Sequence, residues 1–170
     1  VSWVDDQVGR LLHQLSVNGL AEDTIVVFLS DHGDNLGSHG LFNKGRLIEE
    51  SIRIPMTWWC PSRLAPRVCE QEVASIIDVM PTVLDLAGGH TPDSVQGRSL
   101  AGVLAGEAGP DHAFIETTVG EIGLRTADSM CGMQLDAQRR NIADNGGCFY
   151  DLNADPYEMT NLLGTDAVPE

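Results

Sequence analysis

Apolar residues at Val4, Val8, Leu11, Leu12 and Leu15 recur at helical spacing, with Asp5, Asp6, Gln7, Arg10 and Gln14 between them. The pattern predicts an amphipathic helix. Gly19 stands where its carboxyl-terminal cap belongs, and His13 falls on the flank of the apolar stripe. After a short polar loop, Ala21-Glu22-Asp23, the texture changes. Thr24-Ile25-Val26-Val27-Phe28-Leu29 is uncharged and rich in β-branched residues, which predicts a strand buried on both faces, as inside a parallel sheet. Helix, loop and strand in this order make half of a βαβ unit. Ile54-Pro55-Met56-Thr57-Trp58-Trp59 reads as a second buried strand, with Pro tolerated at its start. Between the two, residues 47–52 suit a short turn of helix.

The second half alternates shorter signals. Glu72-Val73-Ala74-Ser75 predicts a short strand. Asp78 to Gly89 predicts a helix capped by Asp78, with Pro81 in its first turn and two glycines to stop it. Val95-Gln96-Gly97-Arg98-Ser99-Leu100 is a turn that opens a second short helix through Leu104. Residues 105–111 form a polar link containing Gly and Pro. Beyond it, Ala113 to Val119 and Ile122 to Thr126 are β-rich runs around Gly120, as in an antiparallel pair. Asn145-Gly146-Gly147 predicts a turn and Cys148-Phe149-Tyr150-Asp151-Leu152 the last strand. Asp155 followed by Pro156 is the signature of a closing helix.

The segment between the two apolar strands carries the candidate chemistry. Asp31 and His32 follow directly on Leu29-Ser30, where a strand of an open α/β sheet ends and ligands bind. Gly33, Gly37, Gly40 and Gly45 make the segment a shaped loop. Asp31 offers a hard anionic oxygen and His32 a neutral ring nitrogen, and both can face one divalent cation. Such cations take about four to eight donors, so two residues are only part of a site. Lys44, on the far side of the loop, can fold back to meet an anionic group held there. A bland reading stands beside each: an Asp-His pair after a strand is also a common turn with an Asx hydrogen bond, and a lone Lys is also ordinary solvated surface.

Composition narrows the partners. A formal charge of −15 over 170 residues argues against nucleic acid or an anionic membrane. It also requires a local cation cluster wherever an anionic substrate binds. No apolar run reaches about 18 residues, so no transmembrane helix is expected. The chain starts at Val1 inside a helical pattern, as a piece with its front missing would. Cys60, Cys69, Cys131 and Cys148 form no Cys-x-x-Cys pair, which disfavours a zinc knuckle.

Several stretches in order carry a family resemblance. They are Ser30-Asp31-His32-Gly33, Leu36-Gly37-Ser38-His39-Gly40-Leu41, Lys44, Glu49-Glu50-Ser51 and Arg53-Ile54-Pro55. Val4-Asp5 through Leu11, the Asp78 to Gly88 segment, Gly97-Arg98-Ser99-Leu100, and Tyr150-Asp151-Leu152 with Asp155-Pro156, Glu158 and Asn161-Leu162 extend it over most of the chain. The chain resembles the carboxyl-terminal portion of the sulfatases, in the alkaline-phosphatase-like superfamily. The resemblance implies an α/β fold: part of a mixed or parallel sheet with flanking helices over residues 1–105, and a small antiparallel subdomain with a closing helix over 106–170. It implies Asp31 and His32 as metal ligands, with calcium the family's common ion and Mn²⁺, Mg²⁺ or Zn²⁺ as alternatives. It implies Lys44 as the sulfate-binding and catalytic residue. The substrate would be a small-molecule or saccharide sulfate ester. The formylglycine nucleophile is expected upstream, in an amino-terminal part of the same enzyme, so these residues alone should be inactive. Cys60-Pro61-Ser62-Arg63 lacks the spacer of the family's Cys/Ser-x-Pro-Ser-Arg motif and lies where the family has a turn; Cys60 is therefore a turn residue. Glu49 and Glu50 could orient Lys44 or Arg53, Glu50 more simply being an exposed acid, and Arg125 suits a structural ion pair better than a substrate contact. A phosphonate monoester hydrolase or phosphodiesterase of the same superfamily, or a non-catalytic degenerate relative, would satisfy much of the same pattern.

Overall fold

In the computed structural model, which describes residues 1–166 and only the backbone of Asp144 and Asn145, the amphipathic stripe forms helix α1, Ser2–Val17. It ends as its sequence predicts. The Gly19 N–H donates to the Ser16 carbonyl and the Leu20 N–H to the Leu15 carbonyl, with Gly19 in the left-handed region at φ +68, which costs glycine little. Strand β1, Val26–Leu29, pairs antiparallel with β2, Met56–Trp59, in the register Val26 to Trp59 and Leu29 to Met56. The expected parallel arrangement is not seen here. A uniform apolar run reports burial and does not encode strand direction. Phe28 is 44 % exposed, so β1 is not enclosed on both faces by the described residues. Cys60 is buried just after β2, its thiol 3.9 Å from the Glu22 carbonyl. The Arg63 and Leu64 N–H groups turn back onto the Cys60 carbonyl. It is a turn residue, as its sequence context predicts.

The chain packs as two compact units: Val1–Leu29 with Pro55–Val68, and Ser30–Ile54 with Cys69–Glu170. This grouping follows space and not the sequence boundary near residue 105, because the loop after β1 packs with the carboxyl-terminal half. In the second unit, α2 is a single turn, Glu49–Ile52, and α3, Val79–Leu86, and α4, Ala101–Ala105, are short. The Asp78 side chain accepts from the Ser75 N–H at 2.9 Å and from the Arg98 N–H at 2.8 Å, while the Thr82 hydroxyl accepts from the Leu100 N–H at 2.8 Å. These bonds explain why the Asp78–Thr82 and Gly97–Leu100 signatures occur together: one satisfies the other's backbone. Residues 72–75 form no strand; the Val73 N–H donates to the Pro110 carbonyl, and Ser75 is tied to Asp78.

A four-stranded antiparallel meander completes the unit: β3, His112–Glu116; β4, Glu121–Thr126; β5, Ser129–Leu135; and β6, Ile142–Asp151. The turn expected at residues 145–147 is instead part of β6. Its register slips there, from Met133 opposite Gly147 to Leu135 opposite Ile142, so the glycines serve a bulge. Nor does the closing helix form. Asp155 caps only a turn, accepting from the Thr160 N–H at 2.7 Å, and Glu158 at φ +52 lies in a left-handed conformation that no α-helix continues. The core of the unit is Leu47, Met130 and Leu152, with Ile52, Ile115 and Tyr150 packed around it. Gly123 and Gly132 face each other across β4 and β5. A Cβ on either would come within 2.9 or 2.8 Å of the Leu47 side chain. The paired glycines are thus a slot for Leu47, and Leu47 carries the site loop with it.

Candidate functional site

Residues 30–54 are folded back on themselves by backbone pairs. The Asn35 N–H donates to the Asn43 carbonyl and the Gly37 N–H to the Leu41 carbonyl, at 2.7 and 2.8 Å. Ser51, buried in α2, closes the base. Its carbonyl accepts from Gly33 and its hydroxyl from the Gly45 N–H. Only glycine fits at position 33, since a Cβ there would lie 1.9 Å from the Glu50 carbonyl oxygen.

Three contacts fasten this loop to the antiparallel sheet. Glu121, on β4, accepts from the Leu47 N–H at 3.0 Å and pairs with Arg46 at 2.7 Å. Arg125 donates twice to Glu49, at 2.7 and 3.1 Å, in the bidentate geometry that makes such pairs strong. Glu158 accepts from the Glu49 N–H at 2.8 Å. Arg125 is therefore a structural arginine, and Glu49 is engaged by it, with Arg53 farther off at 3.7 Å. Glu50 is not a plain surface acid. Ser38 donates to its carboxylate, which holds its pKa below the usual value despite partial burial. Glu121 and Glu158 are the anchors that the sequence alone does not single out, because their partners stand far away along the chain.

The predicted metal pair is brought together. Asp31 Oδ2 and His32 Nε2 stand 3.4 Å apart. The other ring nitrogen, Nδ1, lies 2.7 Å from the Gly33 carbonyl. A carbonyl can only accept, so Nδ1 carries the proton and Nε2 presents its lone pair outward, as in metal-ligating histidines whose second nitrogen is held by a backbone oxygen. Two donors at that separation can share one cation, whose bonds to N and O run about 2.0 to 2.6 Å. The pair fits a divalent ion as part of its coordination sphere. Among the described residues, no third His, Cys, Asp or Glu joins it in a group of three. Lys44 lies exposed on the return limb, beside Asn43. Among the described residues no hydrogen bond or ion pair joins it to Asp31 or His32. The arrangement can hold a cation at one limb of the loop and present a free ammonium from the other.

The family model described as Sulfatase matches residues 1–89. The chain is 34 % identical to the multifunctional alkaline phosphatase superfamily protein PehA of Trinickia caryophylli, over 98 % of this chain and 35 % of that one. It is 34 % identical to an arylsulfatase of Clostridium perfringens, over 100 % and 36 %. Among solved structures, a protein in complex with its substrate D-glucosamine-2-N,6-O-disulfate superposes with a TM-score of 0.77 at 32 % identity, covering 95 % of this chain and 34 % of that one. The phosphonate monoester hydrolase of Agrobacterium radiobacter superposes with a TM-score of 0.78 at 26 % identity, covering 96 % and 35 %. The chain thus spans about a third of the length of the relatives it matches and aligns with their carboxyl-terminal portion.

Proposed function

The chain belongs to the sulfatase family, in the alkaline-phosphatase-like superfamily, and from that premise we propose that it is the carboxyl-terminal part of a metal-dependent hydrolase of sulfate monoesters. The observation that carries the reading is the Asp31–His32 pair: an imidazole held in one tautomer by the Gly33 carbonyl, its free nitrogen 3.4 Å from a carboxylate oxygen. Asp31 and His32 would hold a divalent ion, calcium by family resemblance. When bound, that ion would neutralise charge on the ester's oxygens.

The chain's own residues then have separable roles. Gly33 lets the backbone of α2 press against the ligand pair. Ser51 keeps the two limbs of the loop together, so that Lys44 is carried on a defined arm. The Lys44 ammonium would meet an oxygen of the sulfate and stabilise the charge that grows there as the ester bond breaks. Arg46, Leu47 and Glu49 bind the loop to the sheet, and Lys44 stays exposed to meet an anion. The nucleophile, a formylglycine in this family, would come from an amino-terminal part of the same enzyme, and these residues alone should not turn over an ester. The substrate is a sulfate ester of a saccharide or a small aryl compound. The likeness to a phosphonate monoester hydrolase favours a second reading of the same site, in which a phosphonate or phosphate ester takes the sulfate's place.

In the whole protein, Asp31→Ala and His32→Ala are each expected to lower bound metal and ester turnover together. Unchanged metal content in both variants would remove the assignment. Matched aryl sulfate and aryl phosphonate esters, compared by kcat/KM in the same protein, decide between the two substrate classes.

A further inference from the structure

A second group of donors involves the same loop. His39, Glu50 and Glu158 each place a ligand atom within 4.8 Å of the other two. None of them is Asp31 or His32. Glu158 is 3 % exposed, and its two oxygens differ: Oε2 accepts from the Glu49 N–H, while Oε1 is buried without a partner. A buried carboxylate oxygen left unpaired is costly, and native folds keep such groups for a reason. Glu50, partly buried, is held by the Ser38 hydroxyl, which donates to its carboxylate. Each carboxylate is therefore oriented by a donor of its own, as ligating carboxylates usually are. Burial, and the neighbouring charges of Glu49 and Glu50, raise the Glu158 pKa, against the pull of the Glu49 N–H and of His39. A cation would repay that desolvation.

The backbone at two of the three positions is unusual. His39 has φ +53 and Glu158 φ +52, both in the left-handed region that side chains seldom adopt. They come from opposite ends of the unit: His39 from the tip of the site loop and Glu158 from the turn after β6. His39 is exposed, so the group has an entry path. One imidazole and two carboxylates suit zinc-like ions; all-oxygen sets suit calcium and magnesium. Zinc bonds of about 2.0 to 2.2 Å need the three donors to close in slightly, a shift within reach of the His39 and Glu50 side chains.

We propose that His39, Glu50 and Glu158 form a site for a divalent ion of the zinc class, which clasps the site loop to the turn that follows β6. The test is equilibrium dialysis of the whole protein against Zn²⁺, with Asp31→Asn and His32→Ala already in place so that the other pair contributes nothing. One bound Zn²⁺ per chain is expected, together with a rise in the thermal midpoint. His39→Ala and Glu158→Gln should each weaken binding by about tenfold or more. Glu158→Gln keeps an acceptor for the Glu49 N–H, and circular dichroism reports whether it still folds. If it does not, His39→Ala, at an exposed residue, decides alone. No bound zinc, or zinc binding untouched by His39→Ala, overturns the proposal. Displacement of the zinc by an equal concentration of Ca²⁺ overturns the assignment to the zinc class.

Discussion

Single side chains in the second unit act mainly by deciding what burial costs. Glu49 is a half-enclosed acid that would be expensive alone. Arg125 meets it with two parallel hydrogen bonds, and removing one partner of such a pair leaves the other charge stranded. Cys148, on β6, shows the same principle for a thiol. Burial, chiefly, pushes its pKa to about 11, with the nearby Cys131, Glu158 and Glu121 adding to the effect. At pH 8 it should carry roughly a hundredfold less thiolate than an ordinary cysteine. Iodoacetamide at pH 8, followed by peptide mapping, should label the exposed Cys69 long before Cys148; equal rates would mean that the strand is open. The sign for stability follows. The folded pKa is raised, so the unfolded chain ionises first as pH climbs from about 9 toward 11, and the fold loses stability across that window.

Among elements, the decisive relation is between the site loop and the β3–β6 meander. Leu47 is 5 % exposed and sits over the Gly123–Gly132 pair, flanked by the Arg46 and Glu49 ion pairs. Leu47→Ala empties that slot and should cost about 2 to 5 kcal/mol of unfolding free energy. The loss should not be uniform. Hydrogen exchange should quicken most across residues 44–53, while the β4–β5 amides remain protected by their own ladder. A uniform rise across the sheet, or none at all, would show that Leu47 is not the pin. Sequence reading reached part of this level. Periodicity located α1, β1, β2 and the β3–β4 hairpin, and the Asp78 to Gly89 pattern located α3, although the Asp78 side chain makes no capping bond to it and accepts from Ser75 and Arg98 instead. The same reading placed a helix after Asp155 where there is a turn: Glu158 is left-handed there and its buried carboxylate accepts from the distant Glu49 N–H, a contact that no local pattern encodes.

Across the whole molecule, charge and apolar exposure pull in opposite directions. A net charge of −15 favours a dispersed chain. Against this, β1 and β2 form a sheet of only two strands, whose outer edges pair with no other described strand. Trp3, Leu11 and Phe28 are exposed in the same unit. Open edges and exposed apolar groups invite association. Sedimentation velocity on the 170-residue chain should show self-association that strengthens as added salt screens the acidic charge. A monomer at every concentration and ionic strength would mean that the charge outweighs the apolar surface.

The sequence by itself determined the family, the order of most elements, and the adjacency of Asp31 and His32. Helical periodicity, capping and turn chemistry, and nearest-neighbour placement are all local, and local rules are legible in a linear string. Tertiary structure alone decided that β1 and β2 run antiparallel, that Glu49 belongs to Arg125, and that His39 and Glu50 meet Glu158. Those outcomes rest on pairings between residues distant along the chain. Their energies come from burial and from the satisfaction of buried charge, which arise only once the chain has folded.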